Sequence, residues 1–307
     1  MSSIGWRAGR LNNRTEKEYR IGMEHKAYYQ DKICLVTGAN SGIGYAMSEE
    51  LLKRGATVYM AGRDQKKISA AAGQLFPFRD HVRTLVVDVT RQDQVQKAIE
   101  GTAAEAGGLD MLFNNAGILL MALFERATLE EWKVMIDTNL WSVIYGVHTT
   151  VPIMLMQGSG HIVNVSSVGG IIPYPMQALY NTTKFAVTGL TESLRYEYAG
   201  KGISFSTLCP AFIATAIFNK GLDGSVGAEK IPEGAYPADK AASYCLDRVA
   251  ERHGIIVVPE EPFTTMWKRC TTGDPSAEKF LSSMAELRRR EVEEGKAPQA
   301  IPPLSTL

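Results

Sequence analysis

Short apolar runs alternate with amphipathic stretches along the chain from Lys32 onward. Ile33-Cys34-Leu35-Val36, Thr57-Val58-Tyr59-Met60, Thr84-Leu85-Val86-Val87 and Met111-Leu112-Phe113 are too short for helices and read as buried strands. Ile162-Val163-Asn164-Val165, Ile203-Ser204-Phe205-Ser206-Thr207-Leu208 and Ile255-Ile256-Val257-Val258 extend the series to seven. Between these runs the apolar positions recur at helical spacing. One such stretch ends at Arg54 and is stopped by Gly55, and another covers about 92–106. A long one covers 129–156, with a kink expected near Pro152, and a fourth covers 177–198. Strands alternating with helices predict an α/β fold, a doubly wound, mostly seven-stranded parallel sheet with helices on both faces. Right-handed crossovers then put a ligand cleft at the carboxyl ends of the strands. No linker breaks the alternation, so residues 31–307 read as one domain.

Three segments stand outside this pattern. Residues 1–30 are polar and somewhat basic, with Arg7, Arg10, Arg14 and Arg20, and lack the apolar core of a signal peptide. They read as a surface arm or as a leader upstream of Met23, with a weak transit peptide as the alternative. Residues 212–236 are Gly-rich, poorly periodic and directly follow the sixth strand, which predicts a substrate lid. The tail, about 262–296, is charged and helical, with Leu281, Met284 and Leu287 as an apolar stripe.

Composition narrows the class of protein. Of 307 residues, 45% are hydrophobic and 21% charged, as in an ordinary soluble domain. Lys+Arg and Asp+Glu both count 33, so no global basic field points to nucleic acid. The four cysteines are scattered without a Cys-x-x-Cys pair, which fits reduced thiols in a cytoplasmic protein. The five histidines form no ligand-spaced cluster, so no metal is expected. No apolar run approaches the ~20 residues of a membrane-spanning helix.

Two stretches carry chemistry. Thr37-Gly38-Ala39-Asn40-Ser41-Gly42-Ile43-Gly44 lies between the first strand and its helix. Strand, glycine turn, helix and strand form a unit that binds a dinucleotide, with its pyrophosphate at the helix N-terminus. The second stretch is Ser166 to Lys184, which follows the fifth strand. Tyr180 and Lys184 are four apart, hence on one helical face. A phenol titrates near pH 10 when unperturbed, and a cation within about 4–6 Å favours its ionised form. Phenol, ammonium and a serine hydroxyl from a strand end together outline a proton-transfer site.

Taken in order, Thr37-Gly38-x-x-x-Gly42-Ile43-Gly44, Asn114-Asn115-Ala116-Gly117, Asn139, Ser167 and Tyr180-x-x-x-Lys184 resemble the motifs of the short-chain dehydrogenase/reductase family, in its single-domain branch. The resemblance covers about residues 32–258 and implies a Rossmann fold and hydride transfer between a nicotinamide and a carbonyl or alcohol. It makes Tyr180 the general acid in reduction and the base in oxidation. It makes Lys184 the holder of the nicotinamide ribose and the group that lowers the Tyr180 pKa. Ser167 would hydrogen-bond the substrate oxygen; it is preferred to Ser166 because the family's serine lies thirteen residues before its tyrosine. Asn139 would hold a water linking Lys184 to solvent. For the cofactor, the resemblance assigns Gly38, Asn40, Ser41, Gly42, Ile43 and Gly44 to the pyrophosphate turn. Asp88 and Val89 would flank the adenine, and Asn115, Ala116 and Gly117 would back the adenosine ribose. Pro210, Ile213 and Thr215 would meet the nicotinamide end and the phosphates. Two sites depart from the family's usual pattern: Pro210-Ala211 replaces Pro-Gly, and Thr182-Thr183 replaces smaller residues.

The second strand ends in Met60-Ala61-Gly62-Arg63-Asp64. NAD-preferring members have an acidic residue at the position of Gly62, bonded to the ribose 2′-hydroxyl. Arg63 instead suits a 2′-phosphate, so the expected cofactor is NADP(H), with Asp64 turned toward the ribose as the alternative. The expected pocket walls, Ile118 to Met121, Val168 to Tyr174, Met176 and Phe212 to Phe218, are mostly apolar. They favour an apolar ketone, aldehyde or secondary alcohol as the small-molecule substrate. The rival readings are a nucleotide-binding regulator or scaffold without catalysis, and a sugar-nucleotide epimerase. By resemblance, the helices at 129–156 and 177–198 are expected to pair subunits into a homodimer or homotetramer.

Overall fold

Helix α1 (Asn13–Tyr29) precedes the first strand, and from there the alternation runs almost without interruption. The computed structural model describes residues 13–219 and 234–296, with side chains described from residue 21 and, in the first stretch, up to 217. After α1 come β1 (Ile33–Thr37), α2 (Gly42–Lys53), β2 (Thr57–Gly62), α3 (Gln65–Gln74) and β3 (Val82–Val86). Next are α4 (Gln92–Ala106), β4 (Met111–Asn114), α5 (Leu129–Ile136), α6 (Ser142–Gln157) and β5 (Gly160–Val165). The chain continues with α7 (Ala178–Glu197), β6 (Ile203–Pro210), α8 (Ala238–Ala250), β7 (Ile255–Val258), α9 (Phe263–Thr271) and α10 (Pro275–Glu293).

The strands form one parallel seven-stranded sheet in the order β3-β2-β1-β4-β5-β6-β7. The order reverses between β1 and β4, so a crevice opens at the strands' carboxyl ends. Alternate strand residues serve opposite faces, as the pleat requires. Cys34, Val36, Val58, Met60 and Phe113 pack with α2, α3 and α8. Leu35, Tyr59, Leu112 and Ile162 pack with α4, α6 and α7. Burial on both sides explains why the strand sequences are nearly continuous apolar runs.

Several local expectations are corrected. β3 starts at Val82 rather than Thr84, and it is a half-exposed edge strand whose outer positions need not be apolar. The long helical region keeps α geometry through Pro152; its irregularity is a π turn at Asp137–Trp141 between α5 and α6. The last turn of α1 belongs to the core instead of a surface arm. Tyr29 is fully buried, donates its hydroxyl to the Leu246 carbonyl, and has the Arg54 guanidinium 5.5 Å above its ring. The Tyr28 hydroxyl lies 3.0 Å from Nδ1 of the buried His161. Residues 1–12 lie outside the described residues.

Residues 220–233, most of the expected lid, also lie outside the described residues. The ends of that segment meet through a parallel bridge, with Tyr236 N donating to Phe212 O at 2.8 Å and Ala214 N to Tyr236 O at 2.9 Å. The tail folds into α9 and α10, which cover Val168, Ile171, Ile172 and Tyr174. Met284 faces inward as expected, but Leu287 is exposed and its neighbour Arg288 is the buried residue. Its reach explains this: the Arg288 Nη1 donates to Pro175 O at 2.7 Å in the loop ahead of α7.

Candidate active site

The glycine turn after β1 requires glycine. Gly38 and Gly42 adopt φ of +65° and +60°, where a side chain is strained. At Gly44, in the first turn of α2, an added Cβ would lie 2.6 Å from Gly38 O and would collide with the Asn115 amide. The turn is locked to the neighbouring strand end. Thr37 Oγ1 accepts the amides of Asn115 and Ala116 at 2.9 and 3.0 Å, and Asn115 Nδ2 donates to Thr37 O at 2.8 Å. Ser41 makes no side-chain capping bond to α2, so the helix N-terminus faces the cleft with its field available to an anion. This backbone cradle, which a Cβ would fill, fits the pyrophosphate of a dinucleotide.

At the outer end of the cleft, Gly62, Arg63, Asp64 and Lys67 share the wall with Asp88, Val89 and Thr90. The carboxylate of Asp64 caps α3, accepting the Lys67 amide at 3.0 Å, and that bond holds its pKa below the usual carboxylate range. Asp64 is therefore occupied locally, while Arg63 and Lys67 bring two cations to this end. Asp88 Oδ1 accepts the amide and hydroxyl of Thr90 at 3.0 and 2.8 Å, which shapes the turn beyond β3.

At the inner end, β5 delivers Ser166 and Ser167, and the first turns of α7 deliver Tyr180 and Lys184. The two serines differ in their bonding. The Ser166 hydroxyl donates to Lys184 O at 2.8 Å and pairs with Thr188, which ties β5 to α7. Ser167 Oγ accepts the Gly169 amide at 3.1 Å and lies beside the Tyr180 phenol. Lys184 Nζ donates to Val165 O at 2.8 Å and sits 5.7 Å from the Tyr180 ring centre.

Burial governs the charges here. It pushes Lys184 down to about 8 and Tyr180 up to about 12, against the pull of the Ser167 hydrogen bond. In the protein alone, desolvation of the phenol sets the direction of the Tyr180 shift, and the downward pull comes from Ser167. At neutral pH the site holds a protonated phenol beside an ammonium.

Asn139 does not line the cleft. It occupies the π turn, a geometry that often accompanies functional positions. Its Nδ2 donates to Ile118 O at 2.9 Å and to Thr183 Oγ1 at 3.2 Å, and its Oδ1 accepts Ile118 N at 2.8 Å. These bonds fasten the loop after β4 to α7, and they give the unusual Thr183 a partner. The other expected site residues, Gly38 to Thr215, line one cleft of about 420 Å³. Lys67, Thr138 and Gln177 line it as well, though sequence reasoning passed over them. Lys67 had a readable signal, one helical turn after Arg63. Of the expected walls, Ile118, Leu119, Val168, Tyr174 and Phe212 reach the cleft, whereas Ile171 and Ile172 are buried beneath α9 and α10.

A family model described as short chain dehydrogenase matches residues 32–224. The chain belongs to this family. It is accordingly an oxidoreductase of the short-chain dehydrogenase type. An uncharacterized oxidoreductase of Staphylococcus saprophyticus is 34% identical over 222 residues, covering 71% of this chain and 92% of the relative. Among solved structures, a short-chain dehydrogenase/reductase from Burkholderia phymatum in complex with NAD superposes with a TM-score of 0.69 at 26% identity, over 88% of this chain and 97% of that one. ElxO with NADP bound gives 0.66 at 28% identity, over 74% and 97%. The short-chain dehydrogenase neighbours therefore include holders of each dinucleotide.

Proposed function

We propose that the protein is an NADP(H)-dependent oxidoreductase that interconverts an apolar ketone or aldehyde and its alcohol, with Tyr180 as the general acid and base. The observation that carries this reading is the shared cleft: Tyr180, Ser167 and Lys184 at one end, the glycine cradle in the middle, and Arg63 with Lys67 at the other. A bound nicotinamide dinucleotide supplies or accepts the hydride. Ser167 holds the substrate oxygen by a hydrogen bond, and Tyr180 gives a proton to that oxygen as negative charge develops on it. Burial keeps Tyr180 protonated at neutral pH, which suits reduction. Lys184 fixes the ribose end and adds positive charge near the phenol. Asn139 positions both by joining the post-β4 loop to α7.

The preference for NADP(H) rests on Asp64 being engaged as the cap of α3 while Arg63 and Lys67 face the cleft. An arginine recognises a phosphate through paired charge-assisted bonds. The mostly apolar wall, Ile118, Leu119, Val168 and Phe212, supports an apolar substrate body. We place the subunit contact of a homo-oligomer on α6 and α7, where Leu155, Met156, Phe185 and Tyr196 are exposed. The test of function is a carbonyl and alcohol screen with NADPH and NADH, followed at the reduced-nicotinamide absorbance. Turnover with NADPH preferred upholds the reading, and a clear NADH preference overturns the cofactor assignment.

A further inference from the structure

The loop ahead of α7 is held at four successive carbonyls. Tyr174 O accepts Asn181 Nδ2 at 2.7 Å, and Pro175 O accepts Arg288 Nη1 at 2.7 Å. Met176 O accepts Ala122 N at 2.9 Å, and Gln177 O accepts Asn181 N at 2.7 Å. The anchors come from α7, from α10 and from the loop after β4. Met176 itself sits at φ +61°, a conformation that a non-glycine residue keeps only when its surroundings impose it. This much restraint on a short loop fixes the direction of the side chains it carries.

Gln177 is one of those side chains. It lines the cleft one turn before Tyr180 and is 8% exposed. It occupies the N-cap position of α7, yet its side chain makes no capping bond and has no hydrogen-bond partner among the described residues. The residue is mostly covered, but it opens on the cleft, so a partner for its amide comes from whatever occupies the cleft. Val168, Gly169, Tyr174 and Phe212 line the same cleft, and of these only Tyr174 carries a polar side-chain group.

We infer that Gln177 is a specificity-determining residue that hydrogen-bonds a second oxygen of the substrate, close to the reacting carbonyl. The inference rests on the reductase reading above and narrows its substrate class to α-hydroxy ketones and vicinal diketones with an apolar body. The amide's Nε2 donates to the second oxygen, and its Oε1 accepts from it when that oxygen is a hydroxyl. A plain ketone leaves the amide unpaired and is discriminated against for that reason.

The test uses the full chain with NADPH and three probes on one skeleton: propiophenone, 2-hydroxypropiophenone and 1-phenylpropane-1,2-dione. Wild type is expected to favour the two oxygenated probes over propiophenone in kcat/KM by roughly tenfold or more. Gln177→Met is expected to erase most of that preference, lowering kcat/KM for the oxygenated probes and raising it for propiophenone, while the NADPH Kd stays within about twofold. The greater intrinsic electrophilicity of the diketone is common to both enzymes and cancels in the comparison. Gln177→Glu, which keeps size and an acceptor, is expected to retain 2-hydroxypropiophenone better than the diketone, and it serves if the Met variant folds poorly. An oxygen preference that survives Gln177→Met overturns the inference. A raised NADPH Kd in that variant also overturns it, since the amide then serves the cofactor. Equal turnover of all three probes by wild type overturns the Gln177 assignment alone, whereas no turnover of any of them overturns the reductase reading and this inference with it.

Discussion

Replacing Lys184 with methionine should stabilise the cofactor-free protein at neutral pH while abolishing its activity. Lys184 is 4% exposed, and burial moves its ammonium from an ordinary 10.5 down to about 8. At about 1.4 kcal/mol for each tenfold change in proton affinity, the charged form is disfavoured by about 3 kcal/mol in the folded protein. Methionine has a similar length and no charge. It loses the bond to Val165 O, and an orphaned carbonyl costs about 1–2 kcal/mol. The net gain is about 1–2 kcal/mol, or a few degrees in Tm.

The pH dependence gives the sharper check. The folded pKa lies below the unfolded one, so between pH 8 and 10.5 the unfolded chain binds more protons and wild-type stability rises with pH. The penalty on wild type shrinks to below about 1 kcal/mol by pH 10. Tyr180, held near 12 in the fold, lowers stability mainly above pH 10 and contributes less than about 0.5 kcal/mol at pH 10, too little to mask the difference between the two proteins. Thermal denaturation of wild type and Lys184→Met without cofactor, at pH 7 and pH 10, measures this directly. A variant less stable than wild type at pH 7, or a gap that does not change with pH, would refute the reasoning.

Three further perturbations test other parts of the structure. Gly44→Ala places a methyl group against Gly38 O and the Asn115 amide, so it should lower stability by about 1–3 kcal/mol and weaken dinucleotide binding at least tenfold by calorimetric titration. Arg63→Ala should raise the KM for NADPH by about tenfold or more and leave that for NADH nearly unchanged, since a charge-assisted bond to a 2′-phosphate is absent from NADH. Arg288→Met removes the bond to Pro175 O from a nearly fully buried position; it should lower stability by about 1–3 kcal/mol in a denaturant titration and raise substrate KM more than the NADPH KM.

The parts of the molecule legible in the sequence are those set by local rules. Each strand is a short run buried on both faces, so its composition announces it. Gly38, Gly42 and Gly44 are demanded by backbone geometry within one turn. Tyr180 and Lys184 are adjacent because a helix makes them so. What escaped sequence reasoning depends on distant partners. Tyr28 and Tyr29 look like the end of a polar arm until Leu246 and His161 are found beside them, more than a hundred residues away. Arg288 is buried only because the carbonyl of Pro175 receives it. Spacing reveals the charge near Tyr180 but not the depth of burial, which raises its pKa in the protein alone. Gln177 reads as an ordinary helix-start residue, and only the restrained loop shows that its amide faces the cleft unpaired.

The central claim is that Tyr180 transfers the proton. Its most direct measurement compares wild type with Tyr180→Phe on the best carbonyl substrate of the NADPH screen, with NADPH binding measured in parallel. The phenol's ring packing with Met135 and Leu179 is preserved by phenylalanine, so the fold and the dinucleotide affinity should persist. The account predicts that kcat falls by about a hundredfold or more while the NADPH Kd stays within about twofold. A variant that reduces the substrate at a rate near that of wild type would contradict it.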